Sequence, residues 1–444
     1  MKLPSENIRI VACPTLCRGV EYRTIGHERM IEHLMQHGFA HDISQGRVDE
    51  ARAVTERALE RWLGLGLKHA LSPTGKMLFD PTETMNFFIS AGVLGKDHFW
   101  QDHYVQTVRR LVTDFHQDQM PSGLLPDPSR LEPKRFSVRL ERDFDLTVLK
   151  VGTRVRLRLP LPIEDDSLSN LHLQLQAPED AVTSQTVGRY DAAIVVDERK
   201  NVTLSATANF IAHTGSRAST ELTAAERLVY TNQREDMIRI NDRIRGLAQS
   251  LTRRKKDVWS KVMAIYDYLI DNFYFGCVAY YDLDANSPTT YPLESGVYDC
   301  QLAASLFCAL CRAEGIPSRV VSGYWLYTAN PINHFWAEMW VDSRGWVAID
   351  FASWHLSLAG RDPVWRNVFV GDVDYRMKTQ VLPGIFTGPS SVKFPTAWHR
   401  LVRASEGELE ISYEDAVSGA LVYRDRIAVL NSPGHVIKPT THKP

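Results

Sequence analysis

The 444-residue sequence has no apolar run approaching the roughly 20 residues that a membrane-crossing helix requires, so no membrane partner is expected. Its first residues, Met1-Lys2-Leu3-Pro4-Ser5-Glu6, lack the apolar core of a secretory signal. Cysteine is sparse, 6 in 444, which argues against a disulfide-built scaffold and makes the reducing cytoplasm the expected compartment. An excess of one charge is also missing. With 51 Lys and Arg against 53 Asp and Glu, the net charge of −2 gives no electrostatic reason to expect nucleic acid or an anionic membrane. There is no internal repeat and no low-complexity block. No carboxylate cluster suits calcium. Cys13 and Cys17, followed by His33 and His37, loosely fit a zinc spacing, but the histidines fall on an amphipathic helical pattern with Met30, Ile31 and Leu34. Neither a metal nor an organic cofactor is expected.

What remains is an ordinary globular composition, 44% hydrophobic and 23% charged, in a chain long enough for two or three domains. Residues 1–132 read as a helical N-terminal region. Val54, Ala58, Leu59, Trp62, Leu63 and Leu67 fall on helical spacing, and a second such stretch runs from His98 to His116. A proline-rich connection, Pro121 to Pro133, is the expected boundary. From 133 to 215 the period changes to two, in Arg154–Pro162, Leu171–Gln176 and Val202–Ala206, as in an antiparallel sandwich. Arg154, Arg156 and Arg158 then read as a solvated strand face, with an anion-binding row as the alternative. Residues 216–395 form a core domain, opening with a helix striped by Val258, Val262, Ile265, Leu269 and Phe273. Arg253-Arg254-Lys255-Lys256 reads as its solvated start. Residues 396–444 read as a C-terminal β extension and tail. The fold class is α+β.

The chemistry concentrates between Val297 and Asp350. Cys300 follows Asp299, a plausible N-cap, and opens an apolar-periodic run with Leu302, Leu306, Phe307 and Leu310. A thiol in the first turn of a helix meets unpaired N–H groups and the positive dipole end. Such placement can bring a cysteine pKa from about 8.5 to roughly 3.5–7.5. His334 opens an alternating stretch to Val341, and Asp342-Ser343-Arg344-Gly345 is a turn that returns the chain through Trp346 to Asp350. The parity puts His334 and Asp350 on one sheet face. A three-residue loop with a bulge would place Asp350 opposite Glu338, four positions short of His334. Cys308 and Cys311 read as core residues of the helix that Cys300 opens. The polar stretch from Asp282 to Pro292 is a candidate wall of the cleft before Cys300.

At these residues the chain resembles the bacterial transglutaminase-like superfamily of papain-type cysteine enzymes. The resemblance rests on Asp299-Cys300-Gln301, on the stretch from Cys311 to Tyr324, on His334-Phe335-Trp336-Ala337-Glu338 and on Gly345 to Asp350. It covers about one eighth of the chain closely, and Tyr298 stands where the family often has glycine. The resemblance implies Cys300 as nucleophile, His334 as base and Asp350 as the group that orients it. The Cys300 N–H is an oxyanion donor candidate, and Gln301 or a loop side chain, including Tyr298, a second. Trp336, with Trp340, either lines a substrate channel or packs the core. The expected reaction is acyl transfer through a thioester on a peptide, protein or acyl-carrier substrate, with hydrolysis by a cysteine protease or amidase foremost. Transfer to an amine is the alternative, and a non-catalytic binding protein a further one.

Overall fold

The computed structural model describes residues 24–38, 43, 46–93, 97, 132–199, 201–214, 221–235, 237–278, 280, 283–284, 286–326, 331–352, 366–367, 370–371, 375–381, 398–405, 408–416 and 418–430. Cys13, Cys17, the stretch 98–116, all but two residues of the proline-rich connection and the tail from 432 onward lie outside these. The mixture of helix and antiparallel sheet is the expected α+β class.

Near the N-terminus, helices α1 (His27–Gly38), α2 (Val48–Gly64) and α3 (Pro81–Val93) pack around the fully buried Trp62. His33 is buried on α1.

Two antiparallel sheets follow. Strands β1 (Lys134–Asp145), β2 (Arg154–Pro160), β3 (Leu168–Gln176), β4 (Val182–Thr186), β5 (Arg189–Val195) and β6 (Asn201–Ala212) supply most of them. Inward Leu157, Leu159, Tyr190 and Ile194 of the smaller sheet meet Phe136, Val138, Leu204 and Phe210 of the larger in one core, as the period of two requires. On β2, Arg154 and Arg156 are exposed while Arg158 bonds Asp191 at 2.7 Å, so the arginine row is not an open anion site.

The core domain is built on helices α4 (Asp242–Thr252), α5 (Val258–Asn272) and α6 (Cys300–Ala313), each started by a side-chain cap from Asn241, Asp257 or Asp299. The basic run 253–256 is solvent-exposed between α4 and α5, and Val258 is 41% exposed while Val262, Ile265 and Leu269 are buried. Strands β7 (Ser318–Trp325), β8 (Ile332–Val341), β9 (Gly345–Ile349), β10 (Val370–Gly371) and β11 (Arg376–Val381) form a five-stranded sheet in the order β10-β9-β8-β7-β11. Alternation divides its two faces. Ala337 and Met339 meet α6, whereas Val321, Trp325 and Trp336 join the sandwich core.

Strands β12 (Trp398–Ser405), β13 (Glu408–Asp415) and β14 (Leu421–Val429) complete the larger sandwich sheet, with β14 paired to β1. The stretches read as separate units, 133–215 and 396–444, thus share one six-stranded sheet. This pairing spans almost 300 residues of sequence and leaves no local signal. A buried charge cluster ties the sandwich to the core: Lys378 on β11 bonds Asp165 and lies 2.8 Å from Glu338, which Arg319 also holds at 2.6 Å.

Candidate active site

Asp299 starts α6 by accepting the Leu302 N–H at 2.9 Å, which leaves Cys300 at the first helical position with partial exposure. The backbone N–H of Phe335, the residue that follows His334, favours the thiolate form of Cys300. The helix start and β8 therefore meet at the thiol. Tyr280 donates its hydroxyl to Asp299 Oδ1 at 2.7 Å, adding a second support to the cap.

The electrostatics differ from the expectation of a depressed thiol. Burial and then the Asp299 carboxylate push the Cys300 thiol up, against the smaller pull of the Phe335 N–H and Arg400. A helix start contributes about 0.3–1 kcal/mol toward the anion, too little to offset enclosure beside a carboxylate. This direction favours the thiol over the thiolate in the free site.

His334 is buried on β8, and its Nε2 lies 3.0 and 2.9 Å from the two oxygens of Asp350. With Nε2–H committed to a carboxylate, the lone pair that remains for a base is on Nδ1. Trp325 from the neighbouring strand covers the imidazole, its ring centre 4.5 Å away. Asp350 is 1% exposed and bonds His334, the Ala352 N–H at 2.8 Å and the guanidinium of Arg376. Burial alone would raise its carboxyl, but the His334 and Arg376 charges outweigh that and hold it well below the usual carboxylate range.

The expected register is corrected by two residues. Val341 pairs with Gly345 and Ala337 with Ile349, so the next position opposite Asp350 is Trp336, not Glu338. Gly345 has φ +78 and enters the ladder itself, which keeps the loop to Asp342–Arg344. Asp350 then lies diagonal to His334 on one face, within side-chain reach.

The remaining candidates separate. Tyr298 is fully buried, with its hydroxyl 3.3 Å from the Leu269 carbonyl and its ring among Phe273, Phe275 and Phe351. This makes it a core residue, and enclosure removes it from the oxyanion candidates. Trp336 is 2% exposed, donates to Glu338 at 3.3 Å and stacks near Arg376, so packing replaces the channel alternative. Gln301 stays half-buried beside the thiol. Cys308 and Cys311 are fully buried in α6. Of the expected wall, residues 288–292 lie in short helical turns.

Sequence reasoning missed Trp325, Tyr280, Arg376 and Arg400, along with Asn86 on α3. The amide of Asn86 holds both the N–H of Cys277 at 2.7 Å and its carbonyl at 3.0 Å. None of these residues carries a local pattern. Trp325 arrives across the β7–β8 hairpin and the others through packing between more distant segments.

Residues 245–351, the segment that carries Cys300, His334 and Asp350, match the family model of the Transglutaminase-like superfamily. Comparison with curated proteins gives no significant match. Among solved structures, the chain is similar to an inferred cysteine protease from Cytophaga hutchinsonii, at 16% identity over 68% of this chain and 92% of that one, with a TM-score of 0.44. It is also similar to the periplasmic domain of TgpA from Pseudomonas aeruginosa, at 16% identity over 52% of this chain and 91% of that one, with a TM-score of 0.30. A third similarity, to an inferred protease from Parabacteroides distasonis, has 12% identity, covers 68% and 69% of the two chains and has a TM-score of 0.23.

Proposed function

We propose that the protein is a thiol-dependent acyl-transfer enzyme, foremost a hydrolase of peptide-like amides, in which Cys300 is the nucleophile, His334 the base and Asp350 the orienting carboxylate. The observation that carries this reading is the meeting of α6 and β8. The helix that Cys300 opens packs on β8, where His334 is tied through Nε2 to Asp350. The family match over residues 245–351 supports it.

Chemistry follows from that arrangement. Nδ1 of His334 takes the thiol proton as sulfur attacks the carbonyl carbon, and the imidazolium that forms faces the buried Asp350 carboxylate. The developing oxyanion meets the Cys300 N–H, one of the helix-start donors that the Asp299 cap does not use. Collapse expels the amine, which takes the proton back from His334 and leaves a thioester on Cys300. Water, activated by the same Nδ1, resolves it to a carboxylic acid. An amine in place of water gives a new amide, the second outcome compatible with this machinery. No step uses a metal or an organic cofactor.

The test is digestion of a mixed peptide library with wild type and Cys300→Ala, with and without added cadaverine, read by mass spectrometry. Cleaved peptides that vanish in Cys300→Ala support the hydrolase. Cadaverine adducts with little cleavage favour the transferase. Products that persist in Cys300→Ala would overturn the thiol mechanism.

A further inference from the structure

We propose that Arg400 is a specificity-determining residue, which selects acyl substrates that bear a carboxylate close to the carbonyl attacked by Cys300. The inference rests on the reading of Cys300 as nucleophile and names the substrate class for that site.

Arg400 comes from β12, more than 40 residues beyond the matched core, and pairs in register with Tyr413 on β13. Its guanidinium crosses to the core domain, where Nη2 lies 3.5 Å from Oδ1 of Asn333, the residue before His334. It is partly buried there, and its charge acts on Cys277, Tyr280, Asp299 and Cys300. An arginine delivered by the C-terminal strands thus reaches the residue before His334, close enough for its charge to be felt at the thiol.

Its partners set it apart from other arginines of the same sheet. Arg142 pairs with Asp425, Arg403 with Glu32, Arg424 with Glu410 and Arg426 with Asp143. Arg400 has no carboxylate within ion-pair distance among the described residues, and its nearest polar contacts are the neutral Tyr413 and Asn333 side chains. Asp299 is near enough for its charge to be felt, yet its carboxylate is occupied by Leu302 and Tyr280. A guanidinium carries five donors in a planar fork that matches a carboxylate bidentately. Among the described residues only these two acceptors meet that fork, and partial burial strengthens its attraction for an incoming anion. The substrate class is an acyl donor with a free carboxylate near the scissile amide, either an acidic side chain or a chain-terminal carboxylate.

Iodoacetate and iodoacetamide provide the test, because they deliver nearly the same group to Cys300 and differ in carrying a carboxylate or a neutral amide. Rates of Cys300 modification are read by peptide mass mapping for wild type, Arg400→Gln and Arg400→Lys. The iodoacetate rate is expected to fall about tenfold more than the iodoacetamide rate in Arg400→Gln, the scale of one charge-assisted contact. Arg400→Lys should recover part of that difference, and added salt should narrow it in wild type but not in Arg400→Gln. Equal losses for both reagents would mean that Arg400 only holds the fold, and the proposal is overturned. The same holds if the ratio does not change. If neither reagent modifies Cys300 of the wild type, the thiol mechanism fails first and this inference falls with it. Peptides with Glu or Gln beside the cleaved bond, each with a free or amidated terminus, then separate the two carboxylate sources.

Discussion

Asp350 lies diagonally across a hairpin from His334, and both of its oxygens reach Nε2, at 2.9 and 3.0 Å. The opposite position belongs to Trp336, so an offset of two residues lets a short aspartate span to an imidazole without crowding it.

Asp350→Asn tests this pair and its second partner. The substitution keeps the shape but removes the charge that faces both His334 and the buried Arg376. Breaking a buried ion pair typically costs about 3–5 kcal/mol, and an amide supports the wrong imidazole tautomer. Expected are a fall of roughly 100-fold or more in Cys300 alkylation at pH 7, against the roughly 10⁴-fold loss of turnover that a wrong tautomer can cause, and a lower denaturant midpoint. The pH dependence has a definite sign. Asp350 is held below its unfolded value of about 3.9, so its contribution to stability is present above that pH and is lost as the pH falls below it. Acid unfolding followed by circular dichroism should therefore flatten in Asp350→Asn between about pH 4 and 2.

Cys300 gives the opposite kind of profile. Because enclosure and Asp299 push its thiol up, iodoacetamide labelling should climb steadily from pH 6 through pH 9, with no plateau persisting into acid. Asp299→Asn removes the nearest negative charge yet can still cap α6. That variant should label several-fold faster at pH 7, with its profile displaced to lower pH. An unchanged profile would show that the carboxylate does not govern the thiol.

The legibility of this chain follows distance along it. Asp299, Cys300 and the apolar run after them form one local signal, and the cap and helix appear where the spacing predicts. The His334–Asp350 hairpin was readable in parity, because side-chain alternation fixes the face. Its register was not, since two residues of slip preserve the face. Trp325, Arg376 and Arg400 were invisible for a different reason. Trp325 reaches the site by the pairing of β7 with β8, Arg376 by β7 with β11 and Arg400 by β12 with β13, and no periodicity encodes these contacts. The contribution of 398–429 to the sandwich escaped for the same reason.

Gly323 stands opposite His334 in the ladder, where β7 also shifts register against β11. A Cβ added there would lie 2.0 Å from the Met377 carbonyl oxygen and 3.0 Å from the Lys378 Cα. Both are backbone atoms and cannot rotate away. Gly323→Ala should therefore separate β7 from β11 or fail to fold, at a cost of about 3 kcal/mol or more. Chemical denaturation gives the magnitude. A variant within about 0.5 kcal/mol of wild type would show that the two strands have room to part.

Asn86 makes the N-terminal helices part of the site. Its side chain binds the backbone of Cys277 on both sides, as a neighbouring strand would, and its Oδ1 would lie 2.5 Å from a Cβ placed on Gly276. Three residues on, Tyr280 supports the Asp299 cap under Cys300. The connection runs from α3 to the nucleophile through one short loop. Asn86→Ala leaves a backbone donor and acceptor without these partners, at about 1–3 kcal/mol for a buried group. Hydrogen exchange of the 274–278 peptide should then accelerate, and Cys300 labelling should slow. Tyr280→Phe should slow labelling too. If the loop transmits the effect, the double variant should lose less than the sum of the two single losses, as coupled neighbours do. Strict additivity, or faster exchange with unaltered labelling, would confine Asn86 to anchoring the helices.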